Sequence, residues 1–229
     1  HYATGINYLK DSINYMPRVD GKDTIEHGVT YFNLSRALYQ TGDYVPATDY
    51  CERALGIFHH TESPEWLAIL HGLMGSIYVK LGQISQAKAS IEHGARHIDE
   101  AEHKDAHALL NEAWGEYYLA IGDPSRAIQS FETVLGFIEE DEYIGWKLEI
   151  IERIAGIYQK EGNFEQALKS YQHYHSIKAE FDKKRLEQQL DGAFTAHELT
   201  KRANQLQQEI DTQKQSEQER IERERLHLS

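Results

Sequence analysis

The sequence predicts an all-α protein, a right-handed superhelical solenoid of helical hairpins with a 40-residue period followed by a long C-terminal helix or coiled coil. Three observations carry this. Gly42, Gly82, Gly122 and Gly162 fall at steps of 40. Ala47, Ala87, Ala127 and Ala167 follow them at a constant offset, and beyond Lys183 the chain has no proline and is rich in Glu, Gln, Arg, Lys and Leu.

Within residues 1–20, Ile6, Leu9, Ile13 and Met16 lie at helical spacing, which predicts the second helix of an earlier, truncated repeat. Residues 24–180 hold four repeats, each read as helix, tight turn and helix. The glycine supplies a left-handed C-terminal cap, and Asp43, Gln83, Asp123 or Asn163 beside it opens the next helix. The small alanine lets the two helices approach closely. Cys51, Ile91, Phe131 and Tyr171 fill the adjoining space, and Ala54, Gly94, Val134 and Tyr174 complete the stripe. On the first helix, Leu34, Met74, Trp114 and Ile154 precede the small Ser35, Gly75, Gly115 and Ala155. A unit of this kind cannot bury its apolar face alone, so the four must stack.

In these recurring glycine, alanine, aromatic and small positions, residues 24–180 resemble the tetratricopeptide repeat (TPR) family. The period of 40 exceeds the usual repeat of about 34 residues. His59, Asp99, Glu139 and Ala179 stand where the family carries its terminal proline. The extra residues predict longer helices. The resemblance implies a concave partner-binding groove along the first helices, at Phe32, Arg36, Tyr39, Gln40, Ser76, Lys80, Glu112, Glu116, Glu152, Gln159 and Lys160. That set runs from an aromatic and basic end to a carboxylate-rich end. Phe32 and Arg36 replace the Lys and Asn of the clamp that binds chaperone tails, so such tails are not expected as ligands.

Residues 181–229 are read as a signalling helix. Leu186, Leu190, Ala193, Leu199, Ala203, Leu206 and Ile210 form an imperfect heptad seam, which predicts a parallel homodimer. Beyond Ile210, Gln213, Glu217 and Arg220 take core places, with Ile221 and Leu228 as late anchors. The junction from Ala167 to Phe181 resembles the last repeat of bacterial signalling proteins, in which a tetratricopeptide sensor is joined by a long helix to a diguanylate cyclase (GGDEF) or histidine kinase domain. No output-domain motif is present in the sequence.

Composition narrows the function. A net charge of -13 argues against a general electrostatic grip on nucleic acid or anionic lipid. The mean hydropathy of -0.64 suits a high-surface solenoid. A single cysteine, Cys51, allows no internal disulfide and fits a reducing cytoplasm, the expected location. No apolar run is long enough to span a bilayer. The chain begins at His1 rather than Met and reads as a fragment of a longer protein, one in which a leader or anchor could precede it.

There is no phosphate-binding loop, nucleophile elbow or zinc-protease signature. Cys51 occupies a packing position. His93, His97, His103 and His107 are the candidate metal ligands, because pairs four apart project from one face of a helix. No cofactor or resident metal is expected, the leading alternative being a solvated polar loop. The reading is therefore a non-catalytic sensor that binds a protein or peptide in its groove and regulates a downstream cyclase or kinase. The alternatives are a free-standing scaffold that dimerises by its C-terminal helix, and a metal-dependent regulatory enzyme built on the histidines.

Overall fold

The computed structural model describes residues 2–19, 21–98, 104–138 and 143–227. The helices are α1 (Tyr2–Tyr15), α2 (Ile25–Thr41), α3 (Tyr44–His60), α4 (Pro64–Lys80), α5 (Ile84–Ala95), α6 (Lys104–Ala120), α7 (Pro124–Phe137), α8 (Ile144–Lys160) and α9 (Phe164–His227). Among the described residues the only extended pairing is an isolated bridge between Val19 and Lys22. Position 139 and residues 99–103, His103 included, lie outside the described residues.

Hairpins α2–α3, α4–α5, α6–α7 and α8–α9 turn at the four periodic glycines. Gly42, Gly82, Gly122 and Gly162 have φ of 86°, 74°, 79° and 76°, a left-handed conformation that a Cβ would strain. After each, the next amide closes the same wide loop onto the preceding helix: Asp43 to the carbonyl of Leu38, Gln83 to Tyr78, Asp123 to Tyr118 and Asn163 to Tyr158, at 2.8–2.9 Å. This is the Schellman closure, and it satisfies carbonyls the helix end leaves free. The neighbouring polar residue does less than its pattern predicts. Asp123 accepts from the amide of Arg126 and Asn163 from that of Gln166, but neither Asp43 nor Gln83 caps its helix with its side chain. Asp43 is taken instead by the Thr41 hydroxyl.

The longer repeat is spent on the first helices, which run to 17 residues in all four hairpins. Within each hairpin, small residues face large ones. Ala47, Ala87 and Ala127 are fully buried and Ala167 nearly so. A Cβ on Gly115 would fall 2.5 Å from Phe131, and one on Gly75 would collide with Ile91. Where the first helix carries Ser35 instead, its hydroxyl donates to the carbonyl of Ala47 and the facing residue shrinks to Cys51. Burial pushes the Cys51 thiol up to about 12, and its Sγ donates to the carbonyl of Leu70, so it is a packed, protonated core residue. Ile6 and Ile13 of α1 are buried in the same core as α2.

Residues 1–174 and 175–229 form two compact units. In the second, the distal part of α9 leaves its large apolar residues open to solvent: Leu186, Leu190, Phe194, Leu199, Leu206 and Ile210 are all exposed. No described helix is long and apolar enough to cross a membrane.

Candidate functional site

The first helices of all four hairpins contribute to one groove. Phe32, Asn33, Arg36, Tyr39 and Gln40 of α2, Leu73 and Ser76 of α4, Leu109 and Glu112 of α6, and Trp146 and Glu149 of α8 line a cavity of about 500 Å³. It adjoins a second cavity, of about 460 Å³, that shares Phe32, Arg36, Leu109 and Trp146 and adds Trp66, Ile69, Tyr143 and the carboxylates Glu65 and Asp105. The aromatic wall is rigid because it is built on the core. Trp66 stacks on the fully buried Phe58 at 4.9 Å between ring centres, and Phe32 meets Trp66 edge-on at 5.5 Å.

Beneath this wall lies a polar network. Glu116, only 4% exposed, accepts the Tyr39 hydroxyl, takes Nη1 of Arg153 at 2.9 Å and has Nζ of Lys80 at 3.4 Å. Nη1 of Arg153 also reaches Glu112 at 3.0 Å, and its Nη2 reaches Glu149 at 2.7 Å. The Trp146 indole donates to Glu112 at 2.7 Å. Burial pushes the Glu112 carboxyl up to about 7, against the pull of Arg153 and with the push of Glu116. Burial, then the Glu116 charge, raises the Tyr39 hydroxyl well above the phenol range, so it stays a donor. Burial works against the Arg153 charge, but Glu112, Glu116 and Glu149 together outweigh it and hold the guanidinium charged.

Of the residues expected in the groove, Phe32, Arg36, Tyr39, Gln40, Ser76 and Glu112 line it, and Lys80 and Glu116 sit in the network under it. Glu152, Gln159 and Lys160 are exposed and do not line it. The carboxylates are not a free acidic end, since Glu112 and Glu116 are engaged by Arg153, a residue the sequence reading omitted. Among the described residues Arg36 is exposed and has no ion-pair partner, which makes it the cation the groove offers. Arg153 had a signal. It shares its register with Asn33, Leu73 and Ala113, so the position is apolar in two of the other three hairpins, where a charge needs an interior partner.

Of the three metal candidates among the described residues, His93 and His97 come together and His107 does not join them. His93 and His97 meet His71 of α4, one ligand nitrogen from each lying within 4.8 Å of the others. His107 instead stacks on Phe137, with 5.3 Å between ring centres. The hairpin register could have found His71. If Gly75 faces Ile91, then four residues back on α4 lies opposite four residues on along α5, between His93 and His97.

A tetratricopeptide repeat family model matches residues 68–96, the heart of the second hairpin. The fold is tetratricopeptide-like. Among solved structures the chain is similar to a Rap protein complexed with Competence and Sporulation Factor, at 18% identity and a TM-score of 0.69, over 79% of this chain and 50% of that one. It is also similar to BtubC (BKLC) from P. vanneervenii, at 15% identity and a TM-score of 0.58, over 79% of this chain and 74% of that one. A third is aspartyl phosphate phosphatase F from Bacillus subtilis, at 18% identity and a TM-score of 0.57, over 77% of this chain and 44% of that one. These likenesses are of fold. The chain spans half the length of the Rap protein it matches. No curated protein matches the sequence.

Proposed function

We propose that this chain is a non-catalytic sensor module that binds a protein or peptide segment in the groove of α2, α4, α6 and α8. On this reading it passes the bound state along α9 to an output domain of the diguanylate cyclase or histidine kinase type. The observation that supports the binding role is the cavity of about 500 Å³ lined from all four hairpins, with an aromatic wall and Arg36 at its edge. A carboxylate of the partner would pair with Arg36 while an apolar side chain lies against Phe32, Leu109 and Trp146. The neighbouring Rap fold, solved with its Competence and Sporulation Factor, fits regulatory binding by a solenoid of this kind. Helix α9 supports the transmitting role, because it begins inside the last hairpin and continues for 64 residues in all.

The test uses an array of random acidic and neutral peptides probed with the purified chain, followed by titration of the hits through Trp66 and Trp146 fluorescence. Arg36→Ala is expected to weaken binding by roughly tenfold or more, as loss of one interfacial anchor does. If Arg36→Ala binds the hits unchanged while substitutions of Lys88 and Glu132 on the second helices weaken them, the groove is not the site.

A further inference from the structure

His71, His93 and His97 converge from three places in the second hairpin: the middle of α4, the last turn of α5, and the turn that follows α5. Ring centres lie 4.4 Å apart for His71 and His93, 5.1 Å for His93 and His97, and 6.1 Å for His71 and His97. Among the described residues no thiolate or carboxylate belongs to the group.

The hydrogen bonds fix the tautomers. The Ser90 hydroxyl donates to the carbonyl of His71 at 3.0 Å, which commits its only proton. Nδ1 of His71, 3.3 Å from the same oxygen, must then be the donor, and so Nε2 of His71 carries a lone pair. That lone pair meets Nδ1 of His93 at 3.0 Å. Ser90 thus holds the His71 ring as an outer partner holds a metal-binding imidazole. Nε2 of His97 is shielded from solvent and has no hydrogen-bond partner among the described residues. Nε2 of His27 and of His107, both outside the cluster, are shielded and unpartnered in the same way, so it is the convergence of the three rings that marks the site.

The geometry points to a binding site for a divalent transition-metal ion, Zn²⁺ or another that prefers imidazole, with His71, His93 and His97 as its ligands. Tetrahedral Zn²⁺ with bonds of about 2.0–2.1 Å sets its ligand nitrogens about 3.3 Å apart. The His71–His93 pair opens by a few tenths of an ångström to reach that spacing. The widest separation, no more than 4.8 Å, closes by at most about 1.5 Å, within the swing of the exposed His93 ring and of His97 beyond its helix. His93 then carries its proton on Nε2 and ligates through Nδ1, so no net proton is lost. A nitrogen-only set favours Zn²⁺, Ni²⁺, Cu²⁺ or Co²⁺ over Mg²⁺ and Ca²⁺. The fourth position is left to water or to His59, whose ring centre lies 6.4 Å from that of His71. The ion would staple α4, α5 and the segment after them.

The test is calorimetric titration of the chelator-treated chain with ZnSO₄ near pH 7.5, with thermal melts in parallel. One Zn²⁺ per chain is expected, together with a rise in Tm as the metal is added. Ser90→Ala should weaken binding by about 10–100-fold, the usual effect of removing an outer partner. The double variant H93Q/H97Q, whose first residue is exposed, should lose binding and the rise in Tm, whereas H173Q/H197Q should keep both. Co²⁺ added to the parent chain should show the visible bands of tetrahedral nitrogen ligation. Affinity in H93Q/H97Q equal to the parent's, or no saturable binding by the parent, overturns the proposal.

Discussion

The Tyr39 hydroxyl on α2 donates to both carboxylate oxygens of Glu116 on α6, at 2.8 Å each, joining side chains 77 residues apart in the chain. The bond skips a hairpin, linking the first to the third, while Lys80 adds the second and Arg153 the fourth. Tyr39→Phe removes the hydroxyl and leaves Glu116 its cations. It should cost about 1.5–3 kcal/mol, the range for a hydrogen bond to a charged group. Arg153→Met strands buried carboxylates and should cost more, about 3–5 kcal/mol. Urea midpoints measure both. A Tyr39→Phe midpoint equal to the parent's would mean that this bond does not hold the hairpins together.

Two glycine-to-alanine changes should act in opposite directions. At Gly115 the new methyl would meet Phe131 atoms at 2.5–2.8 Å, and Phe131 is fully buried with nowhere to move. Overpacking there should cost about 1–3 kcal/mol. At Gly156, inside α8, no atom lies within 4 Å, so alanine should stabilise by roughly 0.5–1 kcal/mol through its better helix propensity. Thermal melts of the two variants shifting the same way would contradict the register of α6 against α7.

Why some of this was legible in the sequence and some was not follows from range. The caps at the four glycines and the pairing of Gly115 with Phe131 are local to one hairpin and recur, so the repeat exposes them. The groove positions on α2, α4 and α6 follow from the same register. The network under the groove does not recur. Tyr39 aligns with Val79, Leu119 and Gln159, and Glu116 with Arg36, Ser76 and Gly156, so no periodic pattern announces that they meet. For the same reason a search for histidines four apart found His93 and His97 but not His71, which arrives from the partner helix of the hairpin.

Glu112 should impose a pH dependence on stability. Its carboxyl is raised on folding from its ordinary 4.5 to about 7, so the folded chain binds more protons in that window. Stability is therefore fully kept below the ordinary carboxylate range and falls as the pH climbs from about 4.5 to about 7. Glu112→Gln retains an oxygen for the Trp146 indole and removes the titration. The slope of urea-measured stability between pH 5 and 7 should flatten in this variant, with a gain at pH 8 on the order of 1–3 kcal/mol. An unchanged slope would assign the dependence to another group.

The last prediction concerns the distal part of α9. Leu186, Leu190, Leu199, Leu206 and Ile210 are each 44–62% exposed, an apolar series that an isolated helix of this polarity gains little by presenting to water. Pairing with a second copy in parallel would bury the series and bring two output domains together, in keeping with the proposed signalling role. The seam is imperfect, since the step from Ala193 to Leu199 breaks the alternation of three and four, so the dimer should be of moderate affinity rather than permanent. Leu190→Lys with Leu206→Lys places like charges at facing core positions and leaves residues 1–174, a compact unit of their own, untouched. Light scattering should find the parent chain dimeric at high micromolar concentration and the double variant monomeric with the hairpins still folded by thermal melt. A parent chain that is monomeric under those conditions rules out the pairing, and a variant that remains dimeric places the interface elsewhere.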